Sequence, residues 1–117
     1  MRPHRELDVW NKSIDLVLDI YEFTKKFPKS EEYTLAPQMR RAAISIPSNI
    51  AEGAGRQTKK EFIQFLHIAQ GSASELDTQL EIAFRLGYLD DADKINLDVQ
   101  ISNIGKMING LQRSLKS

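Results

Sequence analysis

From Thr58 to Gly87, apolar or small residues recur at Phe62, Leu66, Ala69, Ala73, Leu76, Leu80, Ala83 and Gly87, in steps of four and three. Such steps keep the side chains on one stripe of an α-helix, so the segment predicts a long helix packed against other helices. At ~1.5 Å per residue it would be roughly 40 Å long. Thr58 offers an N-cap and Glu61 completes a capping box three residues on. Inside the helix, Gly71-Ser72-Ala73-Ser74 is a run of very small side chains. Gly71 costs an isolated helix about 1 kcal/mol relative to alanine. A close approach by the preceding helix is the compensation expected there.

The rest of the chain supplies three partners. A first helix is expected from Leu7 or Asp8 to Phe27, with Trp10, Ile14, Val17 and Tyr21 in one apolar row and Leu16, Ile20, Phe23 and Phe27 in another. Two rows make a wide stripe, suited to burial between two neighbours or to contact with another subunit. Phe27-Pro28-Lys29-Ser30 stops that helix, and Ser30-Glu31-Glu32 can start the next. The second helix buries Leu35, Met39, Ala42 or Ala43, Ile46 and Ile50, and Pro37 falls in its first turn if the regular helix begins near Leu35. Pro47 lacks an amide hydrogen and crowds the preceding turn, so a kink is expected there. Gly53 or Gly55 is expected to end the helix in the left-handed conformation. After Gly87-Tyr88-Leu89, a last helix beginning near Asp90 to Ala92 carries Leu97, Ile101, Ile104, Ile108, Leu111 and Leu115. Four helices with short joins predict an all-α fold: an antiparallel up-down four-helix bundle with a proline-bent second helix, one domain over residues 1–117.

Composition bounds the function. With 41% hydrophobic and 27% charged residues the chain has the makeup of a folded domain. Its sixteen basic and sixteen acidic side chains cancel, so no domain-wide field draws it to nucleic acid. The balance is uneven, however, with eleven basic against eight acidic residues up to Lys60. Charges interrupt the first residues before a signal-peptide-like run can form, no apolar segment approaches the ~20 residues a membrane span needs, and cysteine is absent. A cytoplasmic protein without membrane contact is the expectation.

Catalytic patterns are missing. His4, expected in a flexible start, and His67 on the third helix fit neither a His-Glu-x-x-His nor a Glu-x-x-His metal motif. Ser72 and Ser74 have no nucleophile elbow around them. The glycines near residue 53 do not form a phosphate-cradling loop. No enzyme activity, cofactor or metal is therefore expected. Five cations, Arg40, Arg41, Arg56, Lys59 and Lys60, are opposed in their segment by Glu52 alone. Lys59 and Lys60 also occupy a first helical turn, where the dipole disfavours cations. If folding turns these groups onto one edge, they could contact the phosphates of RNA or single-stranded DNA without reading bases, and Lys25, Lys26 and Lys29 could extend the patch. The alternative is an oligomeric protein-interaction scaffold with no nucleic-acid ligand, in which Arg40, Arg41 and Arg56 pair with Asn49 and Glu52 around the proline.

Phe27-Pro28-Lys29, Glu32-Tyr33-x-Leu35, Gln38-x-Arg40-Arg41-Ala42-Ala43-x-Ser45-Ile46 and Asn49-Ile50-Ala51-Glu52-Gly53, followed by Arg56, closely resemble the four-helix proteins encoded in intervening sequences of bacterial 23S ribosomal RNA genes. Phe62, Leu66, the segment from Ala69 to Glu75, and Gly87-Tyr88-Leu89 continue the likeness. The resemblance implies a small bundle that assembles as a ring-like homopentamer. It also implies kinship in fold with accessory proteins of diversity-generating retroelements, whose basic surface associates with nucleic acid and a reverse transcriptase. It marks Arg40, Arg41, Asn49, Glu52 and Arg56 as the polar positions shared with the family.

Overall fold

In the computed structural model, which describes residues 3–116, four α-helices form a rod of 44 × 23 × 21 Å. They are α1 (Asp8–Thr24), α2 (Leu35–Ala54), α3 (Lys59–Arg85) and α4 (Asp91–Lys116), with short 3₁₀ helices at Pro3–Glu6 and Lys29–Glu31. Residues 1, 2 and 117 of the expected domain lie outside the described residues. Each helix packs against its neighbours in chain order, and α4 closes the ring on α1. Cross-helix bonds fix the antiparallel registers. Ser72 meets Ser45 at 2.8 Å, Gln70 Nε2 donates to the Gly105 carbonyl at 2.9 Å, and Gln100 Nε2 donates to Asp19 at 2.8 Å. One end of the rod therefore holds the α1–α2 and α3–α4 connections. The other holds the α2–α3 turn.

The stripes read from the sequence are the ones that meet. Leu16 and Ile20, Met39, Ile46 and Ile50, Leu66, Leu76 and Leu80, and Leu97, Ile104 and Ile108 are sealed from solvent in a shared core. On α1 the second apolar row supplies most of this burial, while Trp10, Ile14, Val17 and Tyr21 are only half-buried. His4 is not in a loose start: it sits in the first 3₁₀ helix, half-buried, edge-on to the Trp10 ring at 5.0 Å.

Helix ends follow local chemistry. The Thr58 hydroxyl oxygen accepts the Glu61 amide at 3.1 Å, and its proton points to the Glu61 carboxylate at 2.9 Å, a variant of the expected capping box. At the other end of α3, Gly87 takes φ of 84°. Its amide bonds the Phe84 carbonyl at 2.9 Å, and that of Tyr88 bonds the Ala83 carbonyl at 3.0 Å, the two bonds of a Schellman motif. Asp90 caps α4 by accepting the Asp93 amide at 2.8 Å. Between the two connections at this end, Tyr88 O–H donates to Glu31 at 2.7 Å and its ring lies 5.2 Å from Phe27. Hydrogen bonds from Thr34 and then Tyr88 hold the Glu31 carboxyl below its usual range, and the same bond pushes the Tyr88 phenol up.

Several details of α2 and its glycines differ from the sequence expectation. The kink foreseen at Pro47 does not divide α2, whose helical span is continuous from Leu35 to Ala54. The missing amide removes one bond, to the Ala43 carbonyl, while the flanking Ile46 and Ile50 are anchored in the core. Neither Gly53 nor Gly55 is left-handed: Gly53 is helical, and Gly55 has φ of −86°. Of the two starts open to the second helix, Ser30 and Leu35, the structure has Leu35, and the Ser30 segment forms its own 3₁₀ turn. Pro37 then falls in the first turn, where an amide would have no intrahelical acceptor. α2 meets the small-residue run of α3 at Ser72, 2.8 Å from Ser45, but not at Gly71 itself, and the glycine crowded at this helix pair is Gly53. A Cβ on Gly53 would stand 2.8 Å from both Phe62 Cδ1 and Phe65 Cβ, whereas one on Gly71 meets nothing within 4 Å.

Candidate nucleic-acid interface

The five cations singled out in the sequence are placed by α2, and α2 separates them. Arg40 and Arg41 lie one turn into the helix, whereas Arg56, Lys59 and Lys60 surround the turn that follows it. At ~1.5 Å per residue the two groups are on the order of 20 Å apart along the rod. They do not form one patch.

Arg40 is half-buried against α1. Its Nε donates to Thr24 Oγ1 at 2.8 Å, and its guanidinium carbon lies 4.7 Å from the centre of the Tyr21 ring. Thr24 is itself buried, and its hydroxyl proton goes to the Ile20 carbonyl at 2.7 Å, leaving an oxygen lone pair facing Arg40. Arg41, on the next position of the helix, is exposed. Adjacent arginines on a helix point about 100° apart, which is why one is fixed and the other is free.

At the opposite end Arg56 bonds Glu52 at 3.1 Å and lies 4.9 Å from the Phe65 ring centre. Lys59 and Lys60 extend into solvent with no carboxylate at ion-pair distance among the described residues. Asn49 does not reach an arginine. Its amide donates to the Ser45 carbonyl at 2.7 Å and the Ser45 hydroxyl at 2.9 Å. That hydroxyl continues to Ser72, which also lies 3.2 Å from the Ile68 carbonyl, so a polar chain ties α2 to α3. Of the pairings expected for a scaffold, Arg56 with Glu52 is present, while Arg40 is held by Tyr21 and Thr24 instead. Those two residues were not legible as its holders, because their contact depends on the antiparallel register of α1 and α2.

The third and fourth helices carry a different charge pattern. Glu81 accepts from Arg85 at 2.8 Å and meets Lys94 at 3.2 Å, and Lys94 also bonds Asp98. Arg85 first and Lys94 second keep the Glu81 carboxyl below its ordinary range. His67 is exposed. Among the described residues no three acidic or histidine side chains converge to hold a metal ion, and no helix is long and apolar enough to cross a membrane.

Geometry and contacts define a small antiparallel four-helix bundle with ordered polar ties between α1, α2 and α3. Residues 5–110 match the family described as 23S rRNA-intervening sequence protein. The chain belongs to that family. A solved structure from Bacteroides thetaiotaomicron, described as a protein with unknown function from the S23 ribosomal protein family, shares the fold with a TM-score of 0.82. It is 24% identical, over 93% of this chain and 96% of that one. No curated protein matches the chain.

Proposed function

We propose that this protein is a non-enzymatic scaffold that assembles with copies of itself, five chains being the number the family resemblance implies. The observation that carries the reading is where apolar side chains are left uncovered. Of the eight large ones exposed among the described residues, six (Leu18, Tyr33, Ile82, Leu86, Ile95 and Val99) lie in the half of the rod that holds the α1–α2 and α3–α4 connections. Single exposed apolar residues are ordinary, but Ile82 with Leu86 and Ile95 with Val99, each pair one helical turn apart near the α3–α4 connection, support a contact surface there. The pairing of Arg56 with Glu52 fits the same reading. A cytoplasmic location suits a chain without cysteine. In light scattering over a dilution series the wild type is expected to show a self-associated species, and Ile95→Glu with Val99→Glu a species of lower mass. A wild type that is monomeric at every concentration removes the proposal.

A second reading draws on Lys59 and Lys60, which stand exposed beside Arg56 at the α2–α3 turn. Here RNA or single-stranded DNA is bound weakly through phosphate contacts, and repetition around an assembly supplies avidity. Arg41, exposed at the far end, would contact only a strand long enough to run along the rod. Fluorescence anisotropy with labelled RNA should give an affinity that falls steeply with salt and is abolished by Lys59→Glu with Lys60→Glu. Equal binding by that folded variant eliminates this interface.

A further inference from the structure

The end of α1, the 3₁₀ turn at Lys29–Glu31 and the start of α2 enclose a cleft of ≈ 380 Å³. We infer that this cleft binds the phosphate group of a small phosphomonoester. Its walls include Thr24, Lys25, Phe27, Lys29, Glu32 and Arg40.

Arg40 is the centre of the argument. Its Nε bond to Thr24 at 2.8 Å and its position over the Tyr21 ring hold the guanidinium in one plane. Thr24 is committed as an acceptor because its own proton is spent on the Ile20 carbonyl. The four N–H groups on the two terminal nitrogens have no acceptor among the described residues. Neither Arg40 nor Lys29 has a carboxylate at ion-pair distance among the described residues. A planar fork already fixed in place matches two phosphate oxygens, and its ordering has been completed before a ligand arrives.

Charge selects the ligand. Lys25, Lys29 and Arg40 contribute three positive charges against one negative charge from Glu32, and Lys25 is shared with Glu22 across 3.1 Å at the exposed rim. With Lys25 offset by Glu22, the two cations without an ion-pair partner among the described residues, Lys29 and Arg40, suit the roughly −1.5 to −2 of a phosphomonoester better than a polyphosphate. The concave shape and size fall in the range of small-molecule sites, about 300–1,000 Å³. A nucleic-acid strand would find Arg40 recessed on the wall rather than projecting. This inference does not depend on the assembly proposed above, and the site lies at the opposite end of α2 from Lys59 and Lys60.

Isothermal titration calorimetry at low salt tests it with inorganic phosphate, adenosine 5′-monophosphate, and an RNA oligonucleotide lacking a terminal phosphate. Saturable binding of the first two is expected, weakened at least about tenfold by Arg40→Lys, which keeps the charge but loses the fork. Lys29→Gln, at an exposed position, should weaken both ligands as well, while Lys59→Gln with Lys60→Gln should change neither. Circular dichroism checks that each variant is folded, and Lys29→Gln decides the matter if Arg40→Lys is not. No saturable binding of either phosphate compound overturns the inference. So does unchanged binding by folded Lys29→Gln, or an RNA oligonucleotide that displaces the monophosphate at equal phosphate concentration.

Discussion

Leu76→Ala is expected to lower the unfolding free energy by about 2–5 kcal/mol, while Ile68→Ala, eight residues earlier on the same helix, changes it by no more than about 0.5 kcal/mol. Both residues are large and aliphatic, and a hydropathy plot does not separate them. Leu76 is fully buried at the centre of the four-helix contact, whereas Ile68 is 51% exposed on the outer face of α3. Removing three buried carbons from Leu76 loses transfer free energy and leaves a cavity that rigid neighbours on α1, α2 and α4 cannot fill. Against a domain stability on the order of 5–15 kcal/mol, that is a large fraction of the whole. Urea unfolding at one fixed protein concentration measures both variants under the same assembly state. Comparable midpoints for the two variants would mean that α3 does not present the stripe described here.

That prediction rests on the part of the fold the sequence displays most openly. Leu66, Ala69, Ala73, Leu76, Leu80 and Ala83 are spaced as one stripe and are all buried as one stripe. Helical periodicity is a local property, so it survives being read without a structure. Thr58 with Glu61 was legible for the same reason, since a cap is settled within one turn. The glycines were less transparent. A left-handed exit, a close helix crossing and an open surface position all read as the letter G, and only packing tells Gly87, Gly53 and Gly71 apart. Pro47 breaks one backbone bond without ending the helix: α2 stays helical across it, with Ile46 and Ile50 buried on either side.

The basic residues were the least legible of all. Arg40, Arg41, Arg56, Lys59 and Lys60 are close in sequence, but the length of α2 converts that closeness into distance along the rod. Arg40 instead joins Lys25 and Lys29, which precede it by more than ten residues, across the α1–α2 connection. A helix of 20 residues moves its two ends to opposite poles of a small bundle, so a charge cluster spanning such a helix is divided by the fold. Sequence proximity groups charges reliably only within a turn or two.

The two helical glycines of the α2–α3 hairpin should respond to the same substitution with opposite sign. Gly71→Ala is expected to stabilise the protein by about 0.5–1 kcal/mol, since the new methyl enters open space and the unfolded chain loses conformational freedom. Gly53→Ala starts with the same intrinsic gain but places its Cβ 2.8 Å from Phe62 Cδ1 and Phe65 Cβ, and 3.2 Å from the Phe62 carbonyl oxygen. The Phe62 ring can rotate away. The Phe65 Cβ is fixed to the α3 backbone and cannot move unless the helix does. Overpacking of this kind costs about 1–3 kcal/mol, enough to cancel the propensity gain and reverse it. Gly53→Val adds two further methyl groups against the same wall, and a loss of ~3 kcal/mol or more follows. Because the displaced helix starts at the Thr58 cap, the damage should extend to the α2–α3 turn, where amide hydrogen exchange would quicken around Thr58 to Glu61. Thermal and urea unfolding of the three variants give the comparison directly. A stabilised Gly53→Ala would show that α2 and α3 stand further apart at this crossing than their packing requires.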